Sequence, residues 1–188
     1  RKNKFALLES ILEEDKNFQR VLVFARTKHG ANRIAKKLNK LKISTGAIHG
    51  NKSQPARLQV LEKFRSGKVR VLVATDIASR GLDVDGITHV INYELPKESE
   101  SYVHRIGRTA RAGTEGIAIS FCDAGEKSYL KKIEREINRS LGIDQDHPFH
   151  SNLITRKKSA GRPDVESFVK NRVRGRGKGF TARSAGKN

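Results

Sequence analysis

Cys122 is the only cysteine among 188 residues, so the chain can form neither an internal disulfide nor a zinc cluster of thiolates. That scarcity fits a reducing, cytoplasmic compartment. Methionine is missing altogether, and Arg1 stands at position 1, which predicts a piece of a longer protein. No apolar run approaches the roughly 20 residues needed to span a bilayer, and no signal peptide opens the chain, so no membrane partner is expected. Apolar residues make up only 36%, low enough to predict that part of the chain stays outside any packed core. No pair of the six histidines stands at His-x-x-x-His spacing, and no Ser-His-Asp set carries a nucleophile turn. No metal ligand set is therefore assigned, and hydrolysis by a nucleophilic side chain of this chain is disfavoured.

Acidic residues are the remaining shortage. Twenty Asp and Glu face 39 Lys and Arg, for a formal charge of +19. A polyanion is the natural partner, nucleic acid ahead of an acidic membrane surface. The excess is uneven: the last 38 residues carry 11 basic and 2 acidic side chains, leaving +10 on the first 150.

What is present is an alternation. Short apolar runs rich in β-branched residues recur: VLVFA (21–25), ISTGAIH (43–49), VRVLVAT (69–75), HVINY (89–93) and GIAISFC (116–122). Near-continuous hydrophobicity predicts strands covered on both faces. Between them Ala31, Ile34, Ala35, Leu38 and Leu41 recur at helical spacing, as do Leu58, Leu61 and Phe64 after a helix start at Ser53 and Pro55. Phe5, Leu8 and Leu12 predict a first helix; Leu130, Ile133 and Ile137 predict a last one. The fold class is α/β, a parallel sheet flanked by helices over 1–143. From 144 to 188 the periodicity dies into RVRGRGKGFTARSAGKN, which predicts a disordered basic tail that holds nucleic acid electrostatically.

In open parallel sheets function gathers beyond the carboxyl ends of the strands. The unusual residues fall in those loops. HRIGRTAR (104–111) carries three arginines; on a helical turn His104, Arg108 and Arg111 share one face, and two converging guanidiniums call for an anion. An exposed basic helix is the bland alternative. VLVATDIASRGLD ends a strand in Thr75 and Asp76 and carries Gly81 and Asp83; a carboxylate there can accept from ribose hydroxyls, or Asp76 can simply cap a helix. AIHGNKSQPAR offers Gly50 for close backbone approach, with Gln54 and Arg57 on the next helical turn. Arg26 and Thr27 follow the first strand with the same ambiguity between a phosphate contact and an ordinary surface.

Taken in order, VLVFART, IHGNKSQPAR, VLVATDIASRGLD and YVHRIGRTAR resemble motifs IV, IVa, V and VI of DEAD-box ATP-dependent RNA helicases. The resemblance covers about 1–140 and implies the second of the family's two RecA-like domains; the wording ARTKHGAN and AIHGNKSQ is similar to the RhlE-like branch. It implies that Arg108 and Arg111 act as arginine fingers toward ATP and that His104 couples nucleotide to the domain contact. It also implies that Gly81 and Asp83 bind nucleotide, and that Arg26, Thr27, Gly50, Gln54, Arg57, Thr75 and Asp76 face the RNA backbone. The chain contains no GxxxxGK[ST] loop, no Asp-Glu-Ala-Asp and no Ser-Ala-Thr. ATP with Mg²⁺ is therefore expected to be held mainly by an N-terminal RecA-like domain, and this chain alone to be inactive. RNA and that domain are the expected partners, with a ribosome-assembly or RNA-decay machine beyond them. One letter departs from the family: Ala110 replaces the second glycine of HRIGRTGR, a strain if the backbone there takes a positive φ. An ATP-independent RNA-annealing module is the alternative function, and a DNA-directed helicase is disfavoured by His104.

Overall fold

The structure, a computed structural model, describes residues 3–14, 18–79, 84–110, 116–144, 147–149 and, for the backbone, 167–173. Helix α1 (Lys4–Glu14) leads into β1 (Val21–Phe24), α2 (Lys28–Lys40), β2 (Thr45–Ile48), α3 (Gln54–Arg65), β3 (Val71–Ala74) and a short α4 (Asp76–Ser79). Then follow β4 (His89–Asn92), α5 (Ser99–Ile106), β5 (Gly116–Cys122), α6 (Lys127–Glu136), β6 (Ile143–Asp144) and β7 (Ser167–Val173). The strand order is β2-β3-β1-β4-β5-β7-β6. The first five strands are mutually parallel, as the alternation predicts, and β7 pairs antiparallel with both β5 and β6. Strand β7 falls within 144–188; the rest of that stretch beyond Phe149 lies outside the described residues.

The apolar strands are explained by burial on two faces. Val21, Val23, Val71 and Val73 pack with Leu7, Leu8 and Leu12 of α1 and Ala31, Ile34 and Leu38 of α2. Leu22, Phe24, Leu72 and Ala74 point the other way, into Phe64 of α3 and Ala78 of α4. Each such side chain is worth about 1.5–3 kcal/mol once fully buried, so a polar residue in either alternate set would be costly. A third cluster joins Tyr102 of α5 to Ile133 of α6 and includes Cys122, fully buried at the end of β5. Burial, with the Glu126 carboxylate nearby, pushes that thiol up to about 12.

Two helical stripes are narrower than their spacing predicts. Leu41 is the C-cap of α2 and is exposed, and Leu58 of α3 is 56% exposed, leaving Phe64 as the fully buried residue of its set. Helix α3 packs on edge strand β2 and its neighbour β3 through Val60, Leu61 and Phe64.

Register positions the site. Ile48, Ala74, Phe24, Asn92 and Ser120 form one row across the five parallel strands. Gly50, Asp76, Arg26 and Glu94 each stand two residues beyond that row, so four loops open on one edge. No helix of the described residues is long and apolar enough to cross a membrane.

Candidate active site and nucleic-acid interface

Motif HRIGRTAR does not continue as one helix. Helix α5 ends at Ile106, and the chain tightens into turns in which Arg108 N–H donates to Arg105 C=O at 3.1 Å and Thr109 N–H to Ile106 C=O at 3.2 Å. His104 therefore stands on the helix and Arg108 in the turn beyond it, and the shared face with Arg111 falls outside the described residues. Ala110 closes the turn at φ +55°. This is the left-handed conformation in which glycine ends many helices, and it costs an alanine roughly 1–2 kcal/mol.

The arginine that does most of the local bonding is one the spacing did not single out. Arg105 is 2% exposed. Its Nε and one terminal nitrogen donate to the two carboxylate oxygens of Asp76 at 2.6 and 2.8 Å. Its other terminal nitrogen donates to Asn92 Oδ1 at 2.9 Å and to Glu94 C=O at 2.8 Å, while the guanidinium plane lies 4.8 Å from the Phe24 ring centroid. A buried cation needs such a set, because desolvation without it costs more than any one contact returns. The pattern was present in the sequence: Tyr102, Arg105 and Ile106 form the inward stripe of α5.

Thr109 fixes the far end of the turn. It is buried, and its hydroxyl donates to Ile87 C=O at 2.6 Å. Gly116, opening β5, packs so closely on it that an added Cβ would lie 2.0 Å from Thr109 Oγ1. Beside these anchors His104 is exposed and Arg108 half-buried. Arg111, Gly81 and Asp83 lie outside the described residues.

On the other half of the edge the predicted residues are open. Gly50 and Gln54 are exposed, and a Cβ at Gly50 would meet nothing within 4 Å. The fold itself does not need glycine there. Arg57 is half-buried, with one guanidinium nitrogen 3.5 Å from Ala78 C=O. Thr27 is exposed and caps α2, its hydroxyl oxygen accepting from Gly30 N–H at 3.0 Å. Thr75 is buried at the start of α4, where its carbonyl accepts from Ala78 and Ser79 N–H. Asp76 is committed to Arg105.

Arg26 is held from behind. Glu126, 4% exposed, accepts from Arg26 at 2.8 Å and from Lys4 Nζ at 2.5 Å. The Glu94 carboxylate accepts from Arg26 N–H at 2.8 Å. His49 is also buried, its Nε2 3.0 Å from Asn32 Oδ1. Burial first, then the charges of Lys52, Lys28 and His29, hold it below its ordinary 6.5. Glu126, Lys4, Arg105 and Thr109 were not among the expected functional residues.

Asp76 is thus neutralised by Arg105, and Glu126 by Arg26 and Lys4, while His104 and Arg108, in and just after the last turn of α5, and Arg57 on α3 are basic groups that fit phosphate. The sequence profile of the helicase conserved C-terminal domain matches residues 3–113. This chain belongs to the helicase C-terminal domain family. Within it the domain sits among the DEAD-box RNA helicases. The ATP-dependent RNA helicase CshA of Listeria monocytogenes is 44% identical over 140 residues, covering 74% of this chain and 27% of its own length. The ATP-dependent RNA helicase RhlB of Pseudomonas syringae is 42% identical over 142 residues, covering 76% and 36%. The solved structure of E. coli DEAD-box protein SrmB bound to RraA superposes with a TM-score of 0.71 at 37% identity, over 74% of this chain and 81% of that one. These names do not single out the RhlE-like branch. The helicase domain spans about a quarter of the length of the first curated relatives it matches.

Proposed function

We propose that this domain is the arginine-bearing half of an ATP-dependent RNA helicase. It grips the RNA backbone at its carboxyl edge and completes a nucleotide site with the end of α5 and the turn that follows. The observation that carries the reading is Arg105, which pins the last turn of α5 to Asp76 and Glu94 at the carboxyl edge, with His104 beside it, Arg108 in the turn that follows, and Gly50, Gln54 and Arg57 along that edge.

A transferring phosphoryl group spreads charge over its oxygens, and preorganised cations lower its barrier without reorganising. Arg108 and Arg111 are the groups to supply that charge, with His104 coupling nucleotide to the domain contact and Gly81 and Asp83 on the nucleotide itself. When bound, ATP with Mg²⁺ supplies the phosphoryl group and the metal's charge neutralisation. Among the described residues no three His, Cys, Asp or Glu side chains cluster as a metal site, and the metal is assigned mainly to the N-terminal RecA-like domain. Arg26, Thr27, Gly50, Gln54, Arg57 and Thr75 face the RNA sugar-phosphate backbone, a contact that carries no sequence code. Asp76 acts there through Arg105, as a positioning residue. The cytoplasm is the compartment, and a ribosome-assembly or RNA-decay machine the setting.

The test mixes this chain with a matching first domain and measures ATP turnover with and without RNA. RNA-stimulated turnover is expected, and Arg108→Ala or Arg111→Ala should lower it on the order of 10³-fold. Normal hydrolysis by either variant would remove the finger assignment. Strand annealing with no RNA-stimulated turnover would instead establish an ATP-independent annealing module.

A further inference from the structure

Helix α2 reads KHGANRIAKKLNK: five lysines and arginines with no acidic residue. Helix α1 beside it holds three glutamates and one lysine, and α6 mixes Lys127, Lys131, Lys132 and Arg135 with Glu134 and Glu136. Lys28, Asn32, Lys36 and Lys40, all exposed, recur every fourth residue and so form one ridge about 18 Å long. The Asn32–His49 contact turns this ridge toward the loop after β2 that carries Gly50 and Lys52. Lys37 instead lies 4.7 Å from the Phe5 ring centroid, which turns the second cationic line toward α1.

The ridge is electrostatically unfavourable by itself. Lys28 occupies the first turn of α2, where the helix dipole favours negative charge and no acidic residue stands. Lys36 and Lys40 are like charges one turn apart. Lys28 and Lys52 both bear on His49, so positive groups from α2 and the β2 loop converge at the top of the ridge. A polyanion laid along it relieves each of these repulsions at once. Lysines, as flexible point charges, suit a backbone whose register is not fixed.

We propose that Lys28, Lys36 and Lys40, with Lys52 at the head, form a second RNA-backbone track. It carries the flank of the substrate duplex down the outer side of the domain, away from the strand held at the carboxyl edge. The track rests on the reading of that edge as an RNA site.

The experiment titrates the intact chain with a short single strand and with the same strand extended by a hairpin, across a salt series. The triple variant Lys28→Ala, Lys36→Ala, Lys40→Ala on α2 is compared with the triple variant Lys131→Ala, Lys132→Ala, Arg135→Ala on α6. Both triples remove the same charge from exposed helical positions. The α2 triple should lower the log–log salt slope for the hairpin RNA by about 2–3, with the short strand little affected. The α6 triple should not. Equal losses from both triples would reduce the effect to net charge and overturn the track. Competition by polyglutamate matching that of RNA at equal charge would overturn it in favour of an acidic protein partner. Failure of the wild-type chain to bind either RNA sinks the edge reading as well. An unchanged slope in the α2 triple, with binding still weakened by Arg57→Ala, sinks the track alone.

Discussion

The two halves of the carboxyl edge are built on opposite plans. Toward β4 and β5, polar side chains are buried and paired: Arg105 to Asp76 and Asn92, Arg26 and Lys4 to Glu126. Toward β2, Gly50, Gln54 and Thr27 are exposed. A compact, highly charged group rewards rigid donors, whereas a flexible strand with a repeating backbone rewards an open surface. On the proposed function, the edge is fixed where charge would develop and open where a strand would lie.

The sharpest way to break this contrast is to remove the bolt. Arg105→Ala leaves Asp76, Asn92 and Glu94 C=O without their donor and should cost about 3 kcal/mol in urea unfolding, toward the low end for a broken buried pair because Asp76 is 40% exposed and can rehydrate. A loss no larger than that of a surface substitution would show that the turn holds without it. Thr109→Val keeps the shape and deletes one donated hydrogen bond, for an expected loss of about 1–2 kcal/mol by the same measurement. Ala110→Gly should do the reverse. Release from positive φ outweighs the added freedom of the unfolded chain, for a gain of about 0.5–1 kcal/mol in thermal or urea unfolding.

His49 sharpens the comparison from the open side. Its pKa is lowered in the folded state, so the unfolded chain takes up a proton near 6.5 that the folded chain refuses. Its contribution to stability is complete above that pH and is lost as pH falls through the lowered value. The urea midpoint of the wild type should therefore drop more between pH 7.5 and pH 5.5 than that of His49→Asn. Smallest of all, Gly50→Ala should move stability by less than about 0.5 kcal/mol while weakening RNA binding, since the added methyl meets only what lies outside the chain.

The strands and their parallel order were legible because both faces are covered, which leaves VLVF and VLVA as unbroken apolar runs. The loops were legible for the same reason: polar residues begin where the runs stop. The division of labour within HRIGRTAR was not, since three arginines in eight residues look alike until α5 is laid against α4. What singles out Arg105 is Asp76, 29 residues earlier, and no local period reaches that far. The strain at Ala110 could be posed from the sequence as a question; only the end of α5 at Ile106 answers it. Leu58 misled in the opposite sense, keeping helical time on a face with nothing to cover it.

Cys122 has a practical consequence. A thiol sealed at the end of β5, with its ionisation pushed up to about 12, has almost no thiolate at neutral pH and no path for a bulky reagent. Maleimide dyes should pass it by while the domain is folded. Cysteines introduced at exposed positions such as Lys40 or Lys131 can then be labelled one at a time in the native background, and the approach of a partner domain followed by energy transfer without first engineering the sulfur away.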